Sequence, residues 1–169
     1  VLTDIKGHWA EGFINDFVSK GYIGGYDDNT FRPNNSITRA EFVKIVNRTF
    51  GFTEKATEGF KDVASNKWYY DDILIAKKAG YIDGYDDNTF RPDNLITREE
   101  ASKIIATVKG YKGDGILDFD DTSQISNWAK SYVDALCDNN IINGYDDNTF
   151  KPKNRITRAE TVKMLNLSE

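Results

Sequence analysis

GYDDNTFRPNNSITRAE, the stretch from Gly25 to Glu41, decides how this chain is built. It recurs with small changes at Gly84–Glu100 and at Gly144–Glu160, and its first seven residues are identical in all three copies. Tryptophan residues recur ahead of the copies at intervals of 59 and 60 residues, so a whole unit repeats and not the motif alone. Self-similarity at a fixed period indicates an architecture made of repeated units.

Units of this length bury too little apolar surface to be stable alone, so we expect the three units to share one hydrophobic core. We predict unit boundaries at residues 1–58, 59–117 and 118–169, within one cooperative module. A hydrophobic content of 39% with 29% charged residues is typical of a globular domain rather than of a disordered chain.

Each unit reads as a helix, a polar loop and a second helix. In unit one, Trp9, Phe13 and Phe17 fall on one helical face, and Gly21 marks the end of that helix. Gly80 and Asn140 occupy the equivalent stop positions in the other two units. The second helix begins at Thr38–Glu41, a capping box in which threonine bonds the N3 amide and glutamate reaches back to the cap amide. The other two units carry the same box at the same place.

We therefore predict an all-α fold, with three helix-loop-helix repeats in a pseudo-threefold trimer around a central three-helix bundle. One helix of each unit would meet the others at the centre, where all three bury their apolar faces. An open solenoid is the alternative, but three units without a polar capping helix would leave apolar surfaces at both ends.

Each second helix carries an arginine in its first turn, where the helix dipole makes a cation unfavourable by up to about 1 kcal/mol. These residues are Arg39, Arg98 and Arg158. A bound anion would resolve the conflict, because helix N-termini and arginine both bind carboxylate and phosphate groups. An ion pair with Asp27 or Asp28, or with their equivalents, would resolve it too, and the residue types leave both interpretations open.

The Asp27-Asp28-Asn29 loop predicts a turn, because these side chains bond nearby backbone groups and tolerate left-handed torsions. A calcium loop of the EF-hand type would need glycine where Arg32 stands and glutamate where Thr38 stands, so we predict no metal site. One carboxylate or amide of each loop could still contact a sugar hydroxyl.

The tryptophans fall on the apolar face of the first helices, so core packing is their default role. An edge of Trp68 or Trp128 could nevertheless stack on a ligand between units. His8 occurs in one unit only, and Cys137 lies on an apolar helical face. No catalytic, zinc-binding or cofactor motif is present, so we predict that the protein is not an enzyme.

The bulk properties narrow the classes of partner. A net charge of −5 disfavours nucleic acid, which requires a concentrated basic surface. No apolar run approaches the length needed to cross a bilayer, so we expect no membrane insertion. The chain begins at Val1 without methionine and stops close to the last helical pattern, so we expect a module of a longer protein.

The repeated motif resembles the S-layer homology domain. In that family a Gly-Tyr-x-Asp-(Gly or Asn)-x-Phe-x-Pro loop is followed by Ile-Thr-Arg-Ala-Glu at the start of a helix, and the three copies here cover nearly the whole chain. The departures are small. Asn29 and its equivalents stand where the family often has glycine, Glu99 replaces alanine in unit two, and Lys151 replaces arginine in unit three.

The resemblance implies a triplet that anchors an S-layer protein or an exoenzyme to the bacterial cell wall, and therefore a secreted protein at the cell surface. Such triplets bind a secondary cell wall polymer through a terminal 4,6-pyruvyl-N-acetylmannosamine, in grooves between units. By resemblance, Arg39, Arg98 and Arg158 would meet the ketal carboxylate. The same grooves would be lined by Asp28, Asn29, Asp87, Asn88, Asp147 and Asn148.

A helical-repeat scaffold that binds other proteins is the alternative function. An exposed apolar groove would favour the scaffold, whereas the repeated arginines and Asp-Asn pairs disfavour it.

For the anchor, we expect that replacing the three arginines by alanine abolishes polymer binding and leaves the fold intact, because the capping threonine and glutamate remain.

Overall fold

A computed structural model describes all 169 residues and contains six α-helices and no strand, so the predicted all-α fold is confirmed. Two short 3₁₀ turns, Thr122–Gln124 and Asn127–Ala129, precede the fifth helix. The helices are α1 (Glu11–Ser19), α2 (Arg39–Phe50), α3 (Tyr70–Ala79), α4 (Arg98–Lys109), α5 (Lys130–Asp138) and α6 (Arg158–Asn166). None of them is long and apolar enough to cross a bilayer.

The first helix of each unit begins two residues after its tryptophan, later than the apolar pattern predicts. The helix ends agree with the sequence, because the predicted stop residues adopt left-handed torsions that glycine and asparagine tolerate best. Gly21 has φ 76°, Gly80 has φ 84° and Asn140 has φ 56°.

The second helices begin at the predicted caps. Thr97 and Thr157 form complete capping boxes with Glu100 and Glu160. Unit one departs from the prediction, because the Thr38 side chain accepts a bond from the Glu41 amide but the reciprocal bond is missing. The Glu41 carboxylate instead accepts a bond from the Thr38 hydroxyl, at 3.1 Å, which leaves the Thr38 amide outside the box.

The three units are joined in a closed cycle. The second helix of each unit packs on the first helix of the next one: α2 on α3, α4 on α5, and α6 back on α1. The backbone repeats the cycle, because the Ile96 amide donates to the Ile37 carbonyl, Ile156 to Ile96, and Ile37 to Ile156, over 3.0–3.3 Å. A closed cycle is incompatible with an open solenoid and is the connectivity that a pseudo-threefold arrangement requires.

One hydrophobic core runs through all three units, and the motif loops are fastened to it. Phe31, Phe90 and Phe150 have no exposed surface and belong to a single cluster with the three cycle isoleucines. An aspartate from the start of each unit holds the loop in place. Asp121, for example, accepts bonds from the Phe150 and Lys151 amides at 2.9 and 2.8 Å.

Because the core is continuous and the cycle is closed, we expect the module to unfold in one transition, as small single domains do. Ile96→Ala removes a fully buried side chain at the junction and should lower the free energy of unfolding by about 2–5 kcal/mol. Urea unfolding, monitored by tryptophan fluorescence and by circular dichroism, gives both the number of transitions and the free energy of unfolding. The fluorescence reports on all three units, since each unit carries one tryptophan.

Ile116→Ala is the matched control, because the Ile116 side chain is 78% exposed and its loss should change stability little. Two separated unfolding transitions, or a loss of stability in Ile96→Ala that affects unit two alone, would show that the units fold independently.

Candidate functional site

Three grooves open on the surface, one beside the N-terminal half of each second helix, with volumes of about 380, 390 and 330 Å³. Each groove combines the same four residue types: an arginine, a glutamate, a lysine and a tryptophan. Groove 1 holds Arg39, Glu100, Lys103 and Trp128; groove 2 holds Arg98, Glu160, Lys163 and Trp9; groove 3 holds Arg158, Glu41, Lys44 and Trp68.

Every groove takes residues from all three units. In groove 1, Arg39 comes from unit one, Glu100 and Lys103 come from unit two, and Trp128 comes from unit three. The backbone segment that leads into the motif loop, residues 81–86 in unit two, completes the wall. The grooves therefore exist only because the cycle of units is closed.

The arginines are buried, with exposures of 9% for Arg39, 4% for Arg98 and 6% for Arg158. In each, Nε donates to the carbonyl of the motif phenylalanine in the next unit, over 2.8–2.9 Å. Each guanidinium also lies 4.5–4.8 Å from that phenylalanine ring, within the range of a cation–π interaction. These contacts fix the arginine across the boundary between two units.

The remaining guanidinium nitrogens are engaged to different degrees. In Arg39, Nη1 donates to the Glu100 carboxylate. In Arg98, Nη1 donates to Glu160 and Nη2 to the Asn143 carbonyl, both at 3.0 Å. In Arg158, Nη2 donates to the Gly24 carbonyl at 3.0 Å, but Nη1 lies 3.7 Å from Glu41, beyond hydrogen-bond distance.

The arginines pair with the capping glutamate of the next unit, so the interpretation that they pair with Asp27 or Asp28 is wrong. The reason is that the first turn of each second helix faces the next unit in the cycle. The contacts also argue against the expectation that the arginines can be removed without cost to the fold. A buried guanidinium that bonds two or three groups leaves those groups unpaired when it is deleted.

The Asp-Asn pairs of the motif loops build turns. The Asp28 carboxylate accepts bonds from the Thr30 amide at 3.0 Å and from the Thr30 hydroxyl at 2.5 Å, and Asp87 and Asp147 do the same. The bond from the threonine hydroxyl holds the pKa of each carboxyl below its usual range. The asparagines that follow have left-handed φ of 61–63°; they are Asn29, Asn88 and Asn148.

None of these six loop residues lines a groove. The turn-building interpretation is thus confirmed, whereas the contact of Asp28, Asn29, Asp87, Asn88, Asp147 and Asn148 with a ligand stays a prediction. The loops position the grooves indirectly, since the carbonyls that hold the arginines belong to the residue two places after each of the asparagines.

The tryptophans lie in the grooves and not in the core, so the prediction that they pack in the core is wrong. Trp9, Trp68 and Trp128 are 56%, 55% and 48% exposed. They precede the first helices, and so they escape the apolar face that the sequence pattern suggested. Trp68 and Trp128 were candidate stacking residues; Trp9 was missed, although its equivalent position in the repeat was sufficient to find it.

The groove lysines were also missed. Lys44, Lys103 and Lys163 stand three residues after the capping glutamates, and their Nζ atoms lie 5.1–5.6 Å from the tryptophan ring centroids. The ammonium over the ring places a positive charge at each tryptophan, while about half of the tryptophan surface stays exposed to a ligand. The signal was present in the sequence, because the lysine repeats with the motif.

The lone cysteine takes no part in the grooves. Cys137 packs against the core, and burial raises the pKa of its thiol to about 11. A thiol with a raised pKa is a poor nucleophile near neutral pH, since the thiolate is the reactive form.

We expect Arg98→Ala to lower the free energy of unfolding by about 2–4 kcal/mol, because it strands the Phe150 and Asn143 carbonyls and the Glu160 carboxylate. Lys163→Ala, in the same groove, has no ion pair to lose and should cost about 0.5 kcal/mol or less. Denaturant titration of the two variants measures the difference; equal stability of both would contradict a structural role for Arg98.

Comparison with known families gives a match over each unit. A model of the S-layer homology domain matches residues 1–43, 59–102 and 118–162. These three segments contain nine of the twelve residues of the shared groove set, and the groove lysines Lys44, Lys103 and Lys163 each follow a segment by one residue.

Several longer proteins contain a similar segment. The chain is 37% identical over 97% of its length to "Exoglucanase XynX" of Acetivibrio thermocellus, of which it spans 16%. It is 32% identical over 87% of its length to "Cellulosome-anchoring protein" of the same species, of which it spans 35%. It is 32% identical over 96% of its length to "S-layer protein EA1" of Bacillus anthracis, of which it spans 19%.

Proposed function

This chain belongs to the S-layer homology domain family, and we propose that it is a non-catalytic anchor that binds an anionic cell wall glycan in its three grooves. The proposed ligand is a secondary cell wall polymer that ends in 4,6-pyruvyl-N-acetylmannosamine. The expected location is the outer surface of a bacterium, where the module tethers the longer protein that carries it.

One observation carries the proposal: each groove brings together an exposed tryptophan, a lysine and a buried arginine from three different units. A pyranose ring presents C–H groups that pack on an aromatic face, while its substituents reach outward for hydrogen bonds. A carboxylate on that ring would lie between the lysine ammonium and the guanidinium, which are the two cations that all three grooves share.

The burial of the arginine suits it to this role. Its Nε and neighbouring contacts fix the plane of the guanidinium before any ligand arrives, so binding loses little side-chain entropy. The net charge of −5 is no obstacle, since only the groove has to attract an anion. The glutamate beside the arginine offsets part of its charge and would disfavour ligands with misplaced anionic groups.

The relatives support the tethering part of the proposal. Their names include an anchoring protein and an S-layer protein, and the chain covers about a third of the first and a fifth of the second. The family domain also occurs in proteins named for glycan hydrolysis, such as "Exoglucanase XynX", of which this chain matches 16%. We propose that any catalysis in the parent protein belongs to its other domains.

The direct test is calorimetric titration with synthetic 4,6-pyruvylated N-acetylmannosamine, beside the same sugar without the pyruvate. Binding of the pyruvylated sugar alone supports the anchor and its anion specificity. Binding of neither sugar, together with capture of protein partners by an intact module, would favour the protein-binding scaffold.

We further expect that replacing Trp9, Trp68 and Trp128 together by alanine weakens binding of the pyruvylated sugar at least about tenfold, or ~1.4 kcal/mol. The fold should survive, because these side chains are about half exposed and lose only a weak cation–π contact each, together with one aromatic contact of Trp9 to His8 and one of Trp68 to Tyr69. Calorimetry measures the affinity, and thermal unfolding reports the fold.

The matched control is Ile116→Ala, which removes an exposed apolar side chain outside the grooves and should bind normally. Unchanged affinity in the folded triple tryptophan variant would mean that the ligand lies elsewhere.

A further inference from the structure

The three grooves share four residue types but differ in charge. Groove 3 has a third cation, Arg48, in addition to Arg158 and Lys44. The positions equivalent to Arg48 hold Thr107 in unit two and Leu167 in unit three, so the added cation belongs to one groove alone. Arg48 is exposed and forms no ion pair within the protein.

The carboxylates are distributed in the opposite sense. Groove 1 is lined by three of them, Asp83, Asp86 and Glu100. Groove 2 is lined by Glu160 and groove 3 by Glu41. Three cations face one carboxylate in groove 3, whereas two cations face three carboxylates in groove 1.

The arginine of groove 3 is also the least neutralised. Nη1 of Arg158 lies 3.7 Å from Glu41, whereas Nη1 of Arg98 donates to Glu160 at 3.0 Å. The same loosening appears in the cap of unit one, where Glu41 makes no bond to the Thr38 amide. Nη1 of Arg158 can therefore donate to a ligand, whereas Nη1 of Arg39 and of Arg98 already donates to a glutamate.

We propose that groove 3 recognises a glycan with two anionic groups and that Arg48 is the residue that sets this preference. The inference rests on the proposed glycan-binding function and goes further, because it assigns a distinct ligand charge to one groove. The first anionic group meets Arg158, in the manner proposed for all three grooves. The second anionic group, a phosphate or a carboxylate, meets Arg48.

The geometry supports two separate anion positions. Arg48 stands four residues after Lys44 on α2, which places it one turn, or about 6 Å, farther along the helix. Lys44 Nζ lies 5.1 Å from the Trp68 ring, and Arg158 Nη1 lies 3.7 Å from Glu41 in the first turn of α2. Along α2, Lys44 and its tryptophan therefore stand between Arg158, near the start of the helix, and Arg48, in its last turn. A sugar on Trp68 would thus present one substituent toward Arg158 and another toward Arg48.

The test uses three ligands: pyruvylated N-acetylmannosamine as its methyl glycoside, the same sugar as its 1-phosphate, and the same sugar with a carboxymethyl group at that position. The readout is the set of indole N–H signals in a ¹⁵N correlation spectrum. The chain has three tryptophans, one in each groove, so each signal reports one groove. Single tryptophan-to-phenylalanine variants assign the signals.

At low ionic strength the two sugars with a second anionic group should shift the Trp68 signal at about two- to fivefold lower concentration than the methyl glycoside, the range expected of one exposed ion pair. Arg48→Thr should remove this preference, so that all three ligands shift the Trp68 signal over the same concentration range. The converse variant, Thr107→Arg, should create a preference at the Trp128 signal. Added salt should shrink the preference, since exposed charges are screened.

A preference at the Trp68 signal that persists in Arg48→Thr would overturn the proposal, as would equal binding of all three ligands there. A preference for the phosphate alone would retain Arg48 as the determinant and identify the second group as phosphate. If no ligand shifts any indole signal, the glycan-binding function itself fails, and that outcome is distinct from equal binding of all three.

Discussion

The structure depends on one buried cation in the first turn of each second helix. Arg98, for example, reaches from unit two into unit three, where it bonds the Phe150 carbonyl, the Asn143 carbonyl and the Glu160 carboxylate. A cation at a helix N-terminus is locally unfavourable, but these acceptors more than offset the helix dipole. Repeated three times, the contact fastens each unit to the next and closes the cycle.

The same cation lines a groove, so closure of the fold and the proposed recognition of a ligand depend on the same residue. In each groove the tryptophan comes from the unit that supplies neither the arginine nor the lysine, so no groove is complete with two units. This arrangement explains why the units occur as a triplet. It also explains why the grooves can differ in charge while the fold stays the same. Residues such as Arg48 line a groove but take no part in the arginine contacts that join one unit to the next.

Local features were predictable from the sequence because their causes are local. The capping threonines, the stop residues Gly21 and Gly80, and the Asp-Asn turns all bond within a few residues of themselves. The partner of each arginine was not predictable, since it depends on which unit follows which around the cycle. Trp9 was assigned to the core because a periodic pattern cannot tell a residue in the first helical turn from one just before it.

A crystal structure of the module with 4,6-pyruvylated N-acetylmannosamine is the most direct test of a groove built by three units. The account predicts the sugar ring against a groove tryptophan, with the ketal carboxylate within hydrogen-bond distance of the arginine Nη atoms or the lysine Nζ. A sugar bound at the turns around Asp28, Asp87 or Asp147, with all three grooves empty, would contradict it.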